Sequence, residues 1–231
     1  MSDIKLTIDG KACTAKSGQY IVQAARDNGI YIPVLCHFEG MKPAGTCRIC
    51  TVKVGGRFMA ACTTPVAEGM VIENNTPEIE DMRKAIIEML FVGGNHMCPC
   101  CEKSGNCELQ ALAYRYKMMV PRFPYLWPAQ EVEANAGKIY VDISRCVQCL
   151  RCVRDIKTAD GKNIFALKER GGKVNINVDT KLAATLSDEL AQKAMDQCPV
   201  GAILRKEVGY KIPIGQRKFD SKPIGSEIEG K

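Results

Sequence analysis

Histidine is scarce in this chain of 231 residues, with two in all, and no apolar run is long enough to cross a bilayer. The longest apolar stretch, 85–92, is interrupted by Glu88, whereas a membrane helix needs about 20 consecutive apolar residues. We expect no secretory signal segment, because the first residues read as a polar strand pattern. These absences argue against an integral membrane protein, and we expect a soluble protein of the reducing cytoplasm.

Basic clusters and nucleotide-binding motifs are missing as well. The formal charge is +6, yet there is no dense Lys or Arg run and no interleaved aromatic platform, so no nucleic-acid partner is expected. No Gly-x-Gly-x-x-Gly follows a predicted strand, there is no phosphate loop, and no paired Cys-x-x-Cys motifs mark the two ends of the chain. Bound nicotinamide, flavin and nickel are therefore not expected on this chain, nor is a catalytic substrate site.

Cysteine is the residue that the sequence has in excess. There are thirteen cysteines, an odd number, which argues against a complete set of disulfides. In a reducing compartment, cysteines at this density are typical of metal ligands. Most of them fall into three sets, each with its own spacing.

The first set is Cys36-x10-Cys47-x2-Cys50-x11-Cys62. One tight pair with two more distant thiolates follows the logic of plant-type ferredoxins, which hold a [2Fe–2S] cluster, although the first gap is longer here. The small residues at 43–46 would let backbone amides approach such a cluster. The alternative is a four-cysteine zinc site, but zinc sites usually use two tight pairs.

The second set is His96-x-Cys98-x2-Cys101-x5-Cys107. Three cysteines at this spacing suit three corners of a [4Fe–4S] cubane, and the neighbouring His96 is the predicted fourth ligand. Cys100 lies inside the segment and is the competing candidate. His96 is preferred, because adjacent cysteines in a tight loop rarely reach the same cluster.

The third set is Cys146-x2-Cys149-x2-Cys152 with a remote Cys198 that precedes a proline. This is the bacterial ferredoxin pattern, in which the remote cysteine completes a [4Fe–4S] site. Three cysteines within seven residues do not suit zinc. The further cysteine of a two-cluster ferredoxin would fall at Ile156, so this segment is predicted to hold one cluster.

The ligand count agrees with the three sets. Eleven cysteines and His96 supply the twelve ligands that one [2Fe–2S] and two [4Fe–4S] clusters require. Cys13 and Cys100 are left over. Cys13 lies in a predicted strand, where we expect a small buried apolar side chain.

Turn and periodicity patterns predict an α+β fold that begins with two hairpins and one helix in a small mixed sheet. The predicted strands are 5–8, 11–15, 50–54, 57–61, 70–73, 139–143, 164–168 and 173–178, and the predicted helices are 20–28, 77–92, 108–118 and 187–195. The predicted domains are 1–75 for the [2Fe–2S] cluster, 76–128 for the His/Cys cubane and 129–208 for the ferredoxin-type cubane, followed by an extended arm at 209–231.

The three sets in this order resemble the amino-terminal part of the large iron–sulfur subunit of respiratory complex I and the accessory domains of [FeFe] hydrogenases. The chain most resembles the diaphorase iron–sulfur subunits of NAD-reducing soluble [NiFe] hydrogenases. The resemblance includes Gly94-Asn95-His96, Glu102-Lys103-Ser104-Gly105 and Pro199-Val200-Gly201. It departs from complex I at His96, because the complex I histidine would stand at Gly94, four positions before the first cysteine.

The resemblance implies a β-grasp [2Fe–2S] domain, a helical His/Cys-ligated [4Fe–4S] segment and a bacterial-ferredoxin-like [4Fe–4S] domain. It also implies partners: a flavin- and NAD-binding diaphorase subunit and the small and large [NiFe] hydrogenase subunits. The expected role is to relay single electrons between these modules, as one subunit of a hydrogen:NAD oxidoreductase.

Two other functions stay open at the level of sequence. The chain would equally serve as the iron–sulfur subunit of an NAD-dependent formate dehydrogenase or a related complex I-like oxidoreductase, since these enzymes use similar modules. A zinc-rich interaction protein without a redox role is the alternative from a different class. Visible absorption separates clusters from zinc, and the metals of co-purifying partners separate hydrogenase from formate dehydrogenase.

Overall fold

The computed structural model describes residues 3–129 and 131–229. The chain forms two compact units. The first comprises Met1–Met89, Leu112–Arg122 and Lys222–Lys231, and the second comprises Leu90–Ala111 and Phe123–Ser221. The second and third cysteine sets therefore lie in one compact unit, while the four-domain division drawn from the sequence stays a prediction.

The first unit is built on a five-stranded mixed sheet. Its strands are β1 (Asp3–Ile8), β2 (Lys11–Lys16), β3 (Thr51–Val54), β4 (Arg57–Ala60) and β5 (Val71–Glu73), and helix α1 (Ile21–Asp27) lies between β2 and β3 in the chain. The strand order is β2-β1-β5-β3-β4. Only the β1–β5 pairing within this sheet is parallel. The predicted mixed sheet with one helix is confirmed.

Both hairpins of this sheet turn where the sequence predicts. Asp9 and Gly10 have φ of 49° and 78°, and Gly55 and Gly56 have φ of 53° and 80°. Two consecutive positive φ values define the type I′ turn, whose twist matches that of paired strands. The turns fix the register, so that Ile8 pairs with Lys11 across the first hairpin.

The core of the first unit lies between the sheet and α1. Alternation along β1 turns Leu6 and Ile8 inward, at 3% and 0% exposed, and α1 contributes Ile21 at 0%. Cys13 belongs to the same core at 3% exposed, as predicted. Burial of such side chains stabilises the fold by roughly 2 kcal/mol each.

Helix α2 (Pro77–Val92) starts as its sequence predicts, with the Thr76 hydroxyl accepting the Ile79 N–H at 3.4 Å. Helix α3 (Glu108–Arg115) is shorter than the predicted 108–118. Lys117 has φ of 49°, and Met118 N–H donates to the Ala113 carbonyl at 2.9 Å. This is a Schellman termination. It could not be predicted from the sequence, because lysine occupies the position usually taken by glycine.

The second unit contains two small sheets. Strands β6 (Val132–Glu133), β7 (Ile139–Asp142) and β10 (Ile203–Arg205) form one in the order β10-β7-β6, and β8 (Phe165–Lys168) pairs with β9 (Asn175–Val178) in the predicted hairpin. The helices are α4 (Arg151–Asp155), α5 (Thr180–Ala183) and α6 (Asp188–Gln197). Ser187 caps α6, since its hydroxyl accepts the Leu190 N–H at 3.2 Å, and the helix runs two residues beyond the predicted end.

The C-terminal residues 209–229 form turns and bends without a helix or strand. Within the second unit, Arg217 Nη1 donates to the Ser104 carbonyl at 3.2 Å and Phe219 N–H donates to the Gly105 carbonyl at 2.9 Å. This part of the tail is thus fixed to the loop between Cys101 and Cys107.

None of the helices in the described ranges combines the length and the apolar character that a bilayer crossing requires.

Arg83 carries a buried positive charge inside the first unit, where its side chain is 2% exposed. Its Nη2 donates to the Thr51 carbonyl at 2.8 Å and to Asn74 Oδ1 at 2.7 Å, and its Nη1 donates to the Asn74 carbonyl at 3.0 Å. The guanidinium therefore ties α2 to the start of β3 and to the segment after β5.

We expect Arg83→Met to lower the free energy of unfolding by about 3 kcal/mol, because buried carbonyl groups would lose their donors. Urea unfolding of the full chain measures this. Arg26→Met is the control, since Arg26 pairs with Glu39 at the surface and its loss should cost about 0.5 kcal/mol or less. Equal losses from the two variants would contradict the structural role of Arg83.

Candidate metal centres

The first cysteine set is assembled by the β3–β4 hairpin and the loop before it. Cys50 immediately precedes β3 and Cys62 follows β4, and the Ala61 N–H donates to the Cys50 carbonyl at 3.1 Å. Cys36 and Cys47 come from the loop between α1 and β3. Cys36, Cys50 and Cys62 are at most 1% exposed, and Cys47 is partly exposed.

The four thiols of this set contact one another. Cys36 is hydrogen-bonded to Cys47 and Cys62, and Cys50 is hydrogen-bonded to Cys62. Bonds from Cys47 and Cys62 lower the pKa of Cys36, and the same contacts raise the pKa of Cys47 and of Cys62. Four thiols this close cannot all ionise without a cation between them.

Backbone amides also point at these sulfurs. The Ile49 N–H donates to the Cys47 sulfur and the Cys62 N–H donates to the Cys50 sulfur. Arg48 has φ of 60°, an uncommon value for a residue other than glycine, and it lies between Cys47 and Cys50. Such turns form concave amide surfaces that favour anions, as a thiolate-bound cluster is.

The second set is organised around the start of α3. Cys107 directly precedes this helix, and its Sγ accepts the Gln110 N–H at 3.4 Å. A sulfur in this N-cap position lies at the positive end of the helix dipole, which stabilises a thiolate. Burial works against the charge and is the main reason that the Cys107 pKa is raised to about 12. Cys98 and Cys101 lie close enough to Cys107 for their charges to interact with it.

His96 has one hydrogen-bonded and one unpartnered ring nitrogen. Its ring is hydrogen-bonded to the Leu90 carbonyl in the last turn of α2, and its Nε2 is buried without a hydrogen-bond partner. The bond to Leu90 must therefore come from Nδ1–H, which fixes the tautomer and leaves the Nε2 lone pair available. Burial lowers the His96 pKa, so the imidazole stays neutral at physiological pH.

Cys100, the competing candidate, differs from its neighbours in exposure. It is the exposed cysteine of the segment, whereas Cys101 is buried and Cys98 is partly exposed. Cys98 and Cys100 are the first and last residues of a short 3-10 helix, and Cys101 follows it. The contrast with the buried Nε2 atom of His96 supports His96 as the fourth ligand.

The third set lies in a tightly curled loop that leads into α4. Gln148 and Leu150 have φ of 50° and 61°, so two residues other than glycine adopt the left-handed conformation within seven residues. The curl directs the Gln148 N–H to Cys146 Sγ at 3.4 Å and the Arg151 N–H to the Cys149 sulfur. Such a succession of amides forms an anion-binding nest.

The four cysteines of the third set line one pocket, and the empty space of about 410 Å³ at this pocket includes solvent at its open side. Its lining residues are Val141, Ile143, Cys146, Val147, Cys149, Leu150, Cys152, Ile176, Cys198, Val200, Ala202 and Ile203. Burial raises the pKa of Cys146 and of Cys149 to about 12. An apolar pocket with four convergent sulfurs fits a cubane, whose irons would supply the positive charge that these thiols need to ionise.

The second and third sets interlock within the second unit. Arg151, 1% exposed, forms a two-pronged ion pair with Glu108 at 2.9 and 2.7 Å. Glu108 follows a cysteine of the second set and Arg151 precedes one of the third. Gly201 approaches Cys101 so closely that a Cβ built on it would lie 2.4 Å from Sγ.

Within the described ranges, cysteines of one set lie near one another, but no three His, Cys, Asp or Glu side chains are arranged as the ligands of a single metal ion. The donor chemistry, the unpartnered Nε2 of His96 and the sulfur-lined pocket fit iron–sulfur clusters. The assignment of each ligand to a cluster nevertheless stays a proposal.

Sequence reasoning missed residues that shape these sites without binding a metal. Arg48, Gln148 and Leu150 carry no glycine signal for their left-handed conformation. Glu108 and Arg151 stand beside cysteines, but the sequence cannot show that they pair across 43 positions. Pro199-Val200-Gly201 stands out in the sequence only as part of a family pattern.

Three family models match successive parts of the chain. Residues 2–77 match a 2Fe-2S iron-sulfur cluster binding domain, and residues 83–122 match the NADH-ubiquinone oxidoreductase-G iron-sulfur binding region. Residues 137–204 match the ferredoxin-like domain of NADH-quinone oxidoreductase subunit 3. The matches support an α+β protein with a [2Fe–2S] domain and [4Fe–4S]-binding regions.

A curated relative matches the whole chain. The gamma chain of the NAD-reducing hydrogenase HoxS of Cupriavidus necator is 46% identical over 229 residues, which cover 98% of each protein. The chain belongs to the family of NAD-reducing hydrogenase gamma chains. As a member of this family with iron–sulfur domains, it is an electron-transfer protein, and the resemblance seen in the sequence is confirmed.

More distant relatives of this gamma-family chain belong to complex I. The mitochondrial NADH-ubiquinone oxidoreductase 78 kDa subunit of Neurospora crassa is 34% identical over 214 residues, which cover 91% of the chain and 28% of that protein. The corresponding 78 kDa subunit of Candida albicans is 31% identical over 215 residues, at 91% and 30% coverage. The chain thus spans less than a third of these two relatives.

A solved structure has the same fold. A chain of an NAD+-reducing [NiFe]-hydrogenase, determined in the H2-reduced state, superposes with a TM-score of 0.88 at 34% identity, covering 98% of this chain and 99% of that one. The gamma-family fold is therefore shared over the full length of both chains.

We expect Gly201→Ala to disturb the second set, although Gly201 follows Cys198 of the third set in the sequence. Its Cβ would fall 2.4 Å from Cys101 Sγ and 3.3 Å from Lys103 Cβ, so the sulfur must move. Iron analysis should show the loss of up to about four iron atoms per chain, the content of one cubane. Gly172→Ala is the matched control, because no atom lies within 4 Å of its added Cβ. Unaltered iron content and paramagnetic resonance spectra in Gly201→Ala would contradict the predicted coupling.

Proposed function

We propose that this chain is the iron–sulfur subunit that relays electrons between a hydrogenase module and a flavin- and NAD-binding subunit in an NAD-reducing hydrogenase. It would carry one [2Fe–2S] cluster on the first set and two [4Fe–4S] clusters on the second and third sets. The proposed ligands are Cys36, Cys47, Cys50 and Cys62, then His96, Cys98, Cys101 and Cys107, and finally Cys146, Cys149, Cys152 and Cys198.

The observation that carries this proposal is the end-to-end match to the HoxS gamma chain, at 98% coverage of both proteins. A relative that shared one domain would suggest only that a cluster is present. A relative of the same length, with the same succession of domains, supports the same place in a complex. The partners are therefore proposed to be the diaphorase subunit and the small and large [NiFe] subunits.

The clusters, when bound, supply one-electron chemistry that links a hydride-handling flavin to a hydrogen-handling metal site. The chain's own residues hold them and set their surroundings. Apolar side chains line most of the pocket of the third set and limit the access of water to it. Backbone amides that donate to the sulfurs of Cys47, Cys107 and Cys146 stabilise negative charge there. No residue of this chain is proposed to bind the nicotinamide or hydrogen.

We propose a cytoplasmic location for the complex. All thirteen cysteines lie in the described part of the chain and are free thiols. A protein that must present this many reduced cysteines to iron needs a compartment that keeps thiols reduced.

Anaerobically purified single chain is expected to contain about ten iron atoms, from two, four and four, and to show no NADH oxidation with an artificial electron acceptor. Activity should appear when the flavin subunit is added. NADH turnover by the flavin-free single chain would contradict the relay function. If the native complex contained molybdenum in place of nickel, a formate dehydrogenase would replace the hydrogenase as the partner.

His96→Ala is expected to make the second-set cubane labile, because Cys100, the other cysteine of this loop, is exposed and is not expected to replace the missing ligand. His96→Cys should retain the cluster at a lower potential, since a thiolate adds negative charge where a neutral imidazole stood. Cys100→Ser is the control and should retain the full iron content of about ten atoms per chain. Paramagnetic resonance spectra of the variants, compared with wild type, decide the assignment. Loss of the cubane in Cys100→Ser with retention in His96→Ala would assign the ligand to Cys100.

A further inference from the structure

One arginine reaches from the third cysteine set to a sulfur of the second. Arg145 immediately precedes Cys146, yet its Nη1 lies 3.6 Å from Cys101 Sγ and 3.4 Å from the Gly201 carbonyl. Its side chain is 13% exposed. The guanidinium is therefore a largely buried positive charge with an N–H directed at a proposed cluster ligand.

Asp142 holds this guanidinium in place. Its Oδ2 forms an ion pair with Arg145 Nε at 2.9 Å, with only 8% of the Asp142 side chain exposed. The other carboxylate oxygen accepts the Ser144 N–H at 3.0 Å. Because one edge of the planar guanidinium is engaged by Asp142, the Nη1 group is left facing Cys101, and the side chain cannot turn away without breaking a buried ion pair.

Arg151 provides a contrast within the same unit. It also stands beside cysteines of the third set, but both of its terminal nitrogens bind the Glu108 carboxylate, at 2.9 and 2.7 Å. Its charge is thus opposed by a two-pronged carboxylate contact. Arg145 instead pairs with Asp142 through Nε alone and directs Nη1 at the Cys101 sulfur. Its positive charge can therefore influence the charge of a cluster bound to that sulfur.

A hydrogen-bond donor that carries a positive charge favours the reduced state of a cluster when it lies beside a ligand sulfur. Uptake of one electron makes a cluster one unit more negative, and no atom needs to leave. The added charge is partly carried by the ligand sulfurs, so a nearby guanidinium stabilises the reduced form more than the oxidised form. The effect is large where water is excluded, because the local dielectric constant is lower than that of water.

We propose that Arg145 sets the reduction potential of the cluster held by His96, Cys98, Cys101 and Cys107, and that it makes this cluster easier to reduce. The inference rests on the proposed function, since it requires a cluster on the second set. Arg145 acts through the Cys101 sulfur and is a tuning residue, not a cluster ligand. Asp142 is the positioning residue that fixes its direction.

The test is a potentiometric titration of the full-length cluster-loaded chain, followed by paramagnetic resonance. Arg145→Gln should lower the potential of the second-set cubane, with a change in its reduction equilibrium of roughly tenfold, or about 59 mV for one electron. Arg145→Lys should lower it less, because an ammonium keeps the charge but cannot contact Asp142 and Cys101 together. Arg170→Gln, the same charge change at an exposed position, should leave it unaltered.

The outcomes separate the inference from the function on which it rests. An unaltered potential in an iron-replete Arg145→Gln chain overturns the tuning role and leaves the electron-relay function standing. If Arg145→Gln fails to retain its iron, Arg145→Lys decides: a lowered potential supports tuning, and a wild-type potential overturns it. Absence of any second-set cubane signal in the wild-type chain would overturn the proposed function itself.

Discussion

Ionisable thiols buried away from water are the constraint on which the second unit is built. Burial raises the pKa of Cys107, Cys146 and Cys149 to about 12, so the fold alone keeps these groups protonated at neutral pH. Iron must therefore displace protons when it binds. Backbone amides, a helix amino terminus and buried arginines stabilise the resulting negative charge. The loops and helices that carry these donors are placed next to the sulfurs.

The second and third cysteine sets belong to one structural unit, although the sequence separates them. Glu108 and Arg151 form a buried pair, and removal of either partner would leave an uncompensated charge in the interior. The Glu108 N–H also donates to the Pro199 carbonyl at 2.8 Å, and Lys103 Nζ donates to the Met195 carbonyl at 2.5 Å. Each of these contacts joins a residue near the second set to one near the third.

Hairpins and long helices could be predicted from the sequence because their signals are local. Asp9-Gly10 predicts a tight turn because both residues tolerate a positive φ. Ser187 predicts the start of α6 because its hydroxyl can accept a backbone N–H of the first turn. The three cysteine sets were recognised from their spacing, because the ligands of one cluster must converge, and their assignment as ligands stays a prediction. The conformation of Leu150 and the direction of the Arg145 side chain could not be predicted, because tertiary contacts impose both and neither residue type signals them.

The approach of Gly201 to Cys101 has a consequence for how the protein is made. The amino-terminal part of a chain leaves the ribosome first. All four cysteines of the first set are available once residue 62 has emerged. Cys101 emerges well before its packing surface, which does not exist until residue 201 has been synthesised. The surroundings of the Cys101 sulfur are therefore complete only after residue 201 has been synthesised, about half a chain later than the cysteine itself.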